Sequence, residues 1–165
     1  MSRFYIVMGV SGCGKSTVGA ALANISKAPF YDADDFHPEE NVQKMASGNP
    51  LNDEDRAPWL GRLHTLIAEH VERDETAVLA CSALKKKYRD QLRGPLQPDQ
   101  VQFIHLDGSF ELIWSRMQAR KNHYMKADML QSQFDTLEAP QSDEALIINV
   151  SNPLEDILKS IMANR

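Results

Sequence analysis

The run Gly9-Val10-Ser11-Gly12-Cys13-Gly14-Lys15-Ser16 satisfies the pattern G-x-x-x-x-G-K-[ST]. Glycines in such a run let the chain fold tightly enough for successive backbone N–H groups to converge on phosphate oxygens. A helix opening at Lys15 adds the positive end of its dipole. In such a loop Lys15 reaches the β- and γ-phosphates and the Ser16 hydroxyl ligates Mg²⁺, with Thr17 the candidate for the α-phosphate. The segment Gly9 to Thr17 is therefore predicted to hold ATP with Mg²⁺.

Transfer of the terminal phosphoryl group to an alcohol needs a carboxylate that orients the hydroxyl and takes its proton. Tyr31-Asp32-Ala33-Asp34-Asp35 follows a short apolar run, where ligand crevices open in α/β sheets. Asp34 is the candidate base, or orders Mg²⁺ through water. The same acids also read as caps of a helix before Pro38. In Asn52-Asp53-Glu54-Asp55-Arg56-Ala57-Pro58-Trp59, Arg56 can grip a substrate carboxylate with two parallel bonds, or pair with Asp53 or Asp55. Arg116 and Arg120 lie four apart on one helix face, suited to closing on developing phosphoryl charge or to surface ion pairs. Lys86 and Lys87 read as a solvated helix face, and His64 and His105 as structural. Cys13 and Cys81 form no disulfide framework, although oxidation of Cys13 within the loop would block nucleotide.

These residues need elements to position them. Phe4 to Met8 is a continuous apolar run that stops at Gly9, as a buried parallel strand does. Ala28–Asp32, Thr76–Cys81, Val101–Leu106 and Leu146–Val150 supply four more runs. Between them, apolar residues recur at helical spacing over Lys15–Ser26, around Trp59–Val71 and Leu84–Leu92, and after Ser109 as a cap. A last helix opens with Asn152 as cap and Pro153 at its first position. Strands alternating with helices predict an α/β fold with a parallel sheet covered on both faces. The 165 residues suit a single domain, 1–165. Residues 121–140, polar and rich in Met and Gln, form a long connection of the kind that serves as a lid.

The string Asn-Lys-x-Asp of a guanine reader is absent, and Val78-Leu79-Ala80-Cys81-Ser82 ends without the acid of a motor ATPase. Val101–Leu106 does reach Asp107, but Gly108-Ser109 reads equally as a loop and helix cap. Net charge is 18 minus 23, or −5, which argues against a nucleic-acid partner. No apolar run reaches the roughly 20 residues a bilayer requires. The N-terminus lacks a signal-peptide pattern, so the expected location is the cytoplasm. A compact kinase acting on a metabolite or nucleotide fits best at this point, and a nucleotide-binding module without catalysis stays open.

Several strings narrow the choice. The loop is followed by Asp32-Ala33-Asp34-Asp35-Phe36-His37-Pro38, Asn41-Val42-Gln43-Lys44-Met45, Asp55-Arg56-Ala57-Pro58-Trp59, Cys81-Ser82-Ala83-Leu84-Lys85, Tyr88-Arg89-Asp90 and Ser132-Gln133-Phe134. Together they resemble the gluconate kinases (gluconokinases), from the first strand to about Glu144. Cys13 stands where that family often has Ser, and Asn52 where Thr is common. The resemblance implies a P-loop fold of the nucleoside-monophosphate-kinase type, with a five-stranded parallel sheet, a lid and usually a homodimer. It implies the reaction of ATP with D-gluconate to give ADP and 6-phospho-D-gluconate, with Mg²⁺. Residues and resemblance together assign the acceptor to some of His37, Lys44, Arg56, Arg89, His123 and Gln133. They assign the chemistry to Lys15, Asp34 and Arg120, with Arg116 on the nucleotide. Shikimate or a nucleoside monophosphate remains the alternative acceptor.

Overall fold

A computed structural model describes residues 3–119 and 127–164. Five strands form one all-parallel sheet in the order β2-β3-β1-β4-β5: β1 Phe4–Met8, β2 Phe30–Asp32, β3 Ala77–Ala80, β4 Val101–Asp107 and β5 Ala145–Asn149. The helices are α1 Lys15–Ser26, α2 Glu39–Ala46, α3 Asp53–Glu72, α4 Lys86–Arg93, α5 Phe110–Ala119, α6 Ala127–Thr136 and α7 Leu154–Ala163. A short 3-10 turn, Ala33–Phe36, follows β2.

No residue of central β1 is more than 4% exposed, which is why it reads as an unbroken apolar run rather than an alternating one. Its side chains still divide between two cores. Phe4, Ile6 and Met8 pack with Leu63, Ile67 and Leu92 from α3 and α4. Tyr5 and Val7 pack with Leu22, Ile113 and Ile157 from α1, α5 and α7. Because β3 flanks β1 on one side and β4 on the other, the C-terminal end of β1 is a topological switch point, where such sheets open a crevice. The glycine loop sits there. Among the described residues no helix is long and apolar enough to cross a membrane.

Most element ends differ from the sequence reading by a residue or two, but α3 starts at Asp53, six residues before the Trp59 at which its apolar spacing begins. β2 starts at Phe30 rather than Ala28, because Pro29 has no N–H for the ladder and the Ala28 N–H closes α1 by donating to the Ala23 carbonyl at 2.9 Å. α7 begins at Leu154, not Pro153: the Pro153 carbonyl accepts from both Asp156 and Ile157 and so caps the helix from outside. Pro38 stands at the N-terminus of α2, and the acid before it that acts as a cap, Asp32, caps the 3-10 turn instead.

Candidate active site

Within the glycine loop, Gly9 and Gly14 hold positive φ of 147° and 98°. A Cβ at Gly9 would lie 2.7 Å from Cys13 Sγ, so that position admits no side chain. A Cβ at Gly14 would meet nothing within 4 Å, which is the open space that a phosphate chain requires. Lys15 Nζ folds back to donate to the carbonyls of Gly9 at 2.9 Å and Val10 at 3.0 Å, an arrangement in which the loop satisfies its own cation.

Two cavities meet across this loop and share Gly12, Gly14 and Thr17. The larger, about 320 Å³, runs between the loop, Arg116 of α5 and the turn Val150–Leu154 after β5. The smaller, about 190 Å³, is lined by Ser11, Lys15, Ser16, Asp32, Asp34 and Ser82, at the ends of β1, β2 and β3. An extended ligand can thus pass from an uncharged turn and one arginine, over the loop amides, to a pair of carboxylates. The structure places Lys15, Ser16, Thr17, Asp34 and Arg116 along these two cavities. A third cavity of about 200 Å³ opens beside Phe4, the first residue of β1, and has no Lys or Arg in its lining.

Asp34 is positioned from three directions. The Asp32 side chain accepts from the Asp34 N–H at 3.0 Å, which caps the 3-10 turn. Trp59 of α3 donates its indole N–H to the Ala33 carbonyl at 2.7 Å. The Trp59 ring also stacks on His37, with centroids 4.4 Å apart and planes 13° from parallel. Burial raises the Asp34 pKa above the usual carboxylate value and the Asp32 charge raises it further, while His37 and Lys15 pull it down. Burial lowers the His37 pKa, against the Asp34 charge and with that of Arg56. Asp34, His37 and Arg56 thus share one electrostatic neighbourhood. A carboxylate with a raised pKa is a stronger proton acceptor than one in water, as a base for an alcohol must be.

Arg56, about one-third exposed, donates to the Tyr88 hydroxyl at 3.1 Å and lies 3.8 Å from Asp53. Tyr88 donates in turn to Asp53 at 2.6 Å, and Lys87 pairs with the same carboxylate. These two contacts, that from Lys87 first, hold the Asp53 pKa down at about 2. Lys87 stays on the solvated helix face that the sequence suggests, and pairs there with an equally exposed carboxylate. Lys44 donates to Asp55 at 2.6 Å, and Asp55 closes a capping box with Asn52 at the start of α3. Lys44 accordingly fastens α2 to α3.

Arg89 requires a correction. Only 2% exposed, it directs every guanidinium N–H into the protein. Nε and Nη2 donate to Glu144 at 2.9 and 3.2 Å, Nη1 to the carbonyls of Ala83 and Leu84, and Nη2 also to that of Glu138. No donor remains for an acceptor substrate. What Arg89 holds is the turn after β3, where Ala83 carries a positive φ of 45° next to Ser82 of the smaller cavity. Residues 138–144 form a strap across this turn: the Glu138 N–H donates to the Leu84 carbonyl at 2.7 Å, and its carboxylate accepts from the Lys86 N–H at 2.8 Å, capping α4. Gln133 is held on the glycine loop. Its carboxamide engages the loop, with Oε1 accepting from the Ser11 N–H at 2.7 Å and Nε2 donating to Ser11 Oγ at 3.0 Å.

Arg120 and His123 lie outside the described residues, as does the start of the expected lid. Its remainder is helix α6 and the beginning of the strap. His64 accordingly proves structural, bonded to the Leu92 carbonyl at 2.9 Å, and His105 is buried at 3% exposure. The sequence reading missed Trp59, Tyr88 and Ser82 as site neighbours. Trp59 carried a usable signal, an aromatic one turn beyond the charged cap of α3. Among the described residues no three His, Cys, Asp or Glu side chains form a metal cage. Mg²⁺ in an ATP site takes one or two protein oxygens and completes its shell with phosphate and water, and Ser16, Asp32 and Asp34 line one cavity in that manner.

Comparison with known proteins shows what this chain is similar to. The family model described as shikimate kinase matches residues 11–160. The thermoresistant gluconokinase of Escherichia coli is 46% identical over 160 residues, covering 96% of this chain and 90% of that protein. The gluconokinase of Gluconobacter oxydans is 48% identical over 145 residues, covering 88% and 80%. Among solved structures, a gluconokinase from Sinorhizobium meliloti superposes with a TM-score of 0.83 at 41% identity, covering 98% of this chain and 90% of that one. A shikimate kinase from Aquifex aeolicus gives 0.60 at 17% identity, covering 98% and 95%, a likeness of fold alone.

Proposed function

Since this chain belongs to the gluconokinase family, within the wider group that the shikimate kinase model covers, we infer that it transfers the γ-phosphoryl group of ATP to the terminal hydroxyl of D-gluconate. The products are ADP and 6-phospho-D-gluconate. The observation that carries this reading is the pair of joined cavities, with loop amides between a nucleoside-sized space and a carboxylate-lined acceptor space.

In the proposed arrangement the nucleoside lies by Arg116 and the Val150–Leu154 turn. The phosphates cross the loop amides, and Lys15 exchanges its two carbonyl partners for phosphate oxygens. Ser16 would hold Mg²⁺, with Asp32 reaching it through water; the ion would neutralise charge on the β- and γ-phosphates. Asp34 accepts the proton of the C6 hydroxyl as that oxygen bonds to the γ-phosphorus and the bond to the β-bridging oxygen breaks. Arg56 with its spare N–H groups takes the gluconate carboxylate, and His37 contacts the polyol. Arg120 and His123 keep their expected roles on phosphoryl charge and acceptor. The covering role expected of 121–140 falls, among the described residues, to α6 and the strap; exclusion of water there prevents wasteful hydrolysis. The same reading makes the enzyme a cytoplasmic homodimer, with its assembly checked by sedimentation.

The test is ADP release with ATP–Mg²⁺ across gluconate, other aldonates, shikimate and AMP. Saturable release with gluconate is expected. Preference for shikimate or AMP would move the chain to the alternative acceptors, and release with none would leave a nucleotide-binding module.

A further inference from the structure

The contact between Gln133 and Ser11 joins positions 122 residues apart and has no place in the mechanism above. Ser11 lines the acceptor-side cavity but not the nucleoside-side one, so it stands at the γ-phosphate end of the loop. Its N–H is one of the amides such a loop offers to phosphate. At 2.7 Å from Gln133 Oε1 that N–H is fully engaged, and a phosphate oxygen cannot share it. The carboxamide oxygen, a neutral acceptor, stands where an anionic one would go.

Lys15 is satisfied in a comparable way, but by carbonyls of its own loop. Gln133 comes from α6, and that helix is tethered one turn later where Glu138 binds Leu84 and caps α4. With the backbone tethered there, an incoming phosphate displaces the side chain without dislodging the helix. We propose that Gln133 is a positioning residue for phosphoryl transfer: its carboxamide keeps the place of a γ-phosphate oxygen on Ser11, and ATP, but not ADP, displaces it. The contact therefore discriminates substrate nucleotide from product nucleotide and releases the Gln133 side chain towards the acceptor cavity only when a phosphoryl group is present to transfer. This rests on the ATP-site reading but not on gluconate as acceptor.

The experiment is calorimetric titration of AMPPNP–Mg²⁺ and ADP–Mg²⁺ into wild type, Gln133→Ala and Gln133→Glu without acceptor, after circular dichroism shows the variants folded. Gln133→Ala removes the competitor, so AMPPNP should bind roughly three- to tenfold more tightly, about the worth of one hydrogen bond, with ADP unchanged within twofold. Gln133→Glu keeps an acceptor on Ser11 and sets negative charge against the γ-phosphate. AMPPNP should then weaken by about tenfold or more, as for a charged hydrogen-bonding group, and ADP far less. Parallel shifts of both nucleotides, no shift, or weaker AMPPNP binding in Gln133→Ala would overturn the role. A wild type that binds neither nucleotide would overturn the ATP site itself, and this proposal with it.

Discussion

Arg56 and Arg89 lie in charged strings of similar look, and the sequence offers both for the same task, yet the two regions around them are built to opposite ends. Around Arg56 the partners are few, the phenol of buried Tyr88 at 3.1 Å and the exposed Asp53 carboxylate at 3.8 Å, and its charge reaches His37. Around Arg89 every donor is bound and the side chain is buried. A guanidinium serves recognition when it keeps N–H groups to offer, and architecture when it does not. What separates function from structure here is whether the polar atoms keep donors and acceptors to offer.

Substitutions should separate the two regions by which quantity moves. The largest effect belongs to Asp34→Asn, expected to lower kcat by about a hundred- to ten-thousandfold, the range of general base catalysis, while ATP affinity stays within twofold. Stopped turnover assays and nucleotide titration read the two quantities separately. In the wild type, activity should fall with acid as the Asp34 carboxylate protonates. The raised pKa places that limb above the usual carboxylate range, and Asp32→Asn, which removes the second cause of the rise, should move it to lower pH.

Next comes Arg89→Met, which leaves Glu144, 18% exposed, without its cation. A loss of about 3–5 kcal/mol is expected by denaturant unfolding, with little change in the gluconate KM of molecules that remain folded. Arg56→Ala should do the reverse, raising that KM roughly ten- to hundredfold, as for loss of a charged hydrogen bond, with thermal stability nearly intact. An Arg89 variant with normal stability and a raised KM would invert the comparison. The smallest effect is expected of Trp59→Phe, which keeps the stack on His37 but deletes the bond to the Ala33 carbonyl. About 1 kcal/mol of stability and a few-fold in kcat should be lost.

The parts legible in the sequence are those fixed by local rules. The glycine loop, the strand before it and the helix after it are specified by spacing, and the buried β1 by its unbroken apolar run. Ser109 as a cap is legible for the same reason, and the structure shows its hydroxyl accepting from the Leu112 N–H at 3.1 Å. What stayed hidden depends on pairings over long sequence separations. Arg89 meets Glu144 across 55 positions, and Gln133 meets Ser11 across 122. A basic residue in a run of lysines gives no local sign of which one turns inward. The strap capping α4 with a side chain from residue 138 was unreadable for that reason too.

The most direct measurement is a crystal structure with AMPPNP, Mg²⁺ and gluconate bound together. It should show the C6 hydroxyl within hydrogen-bonding distance of Asp34, the carboxylate on Arg56, and Arg89 still closed on Glu144. Gluconate bound to Arg89 with Glu144 displaced, or its hydroxyl turned away from Asp34, would contradict the assignment.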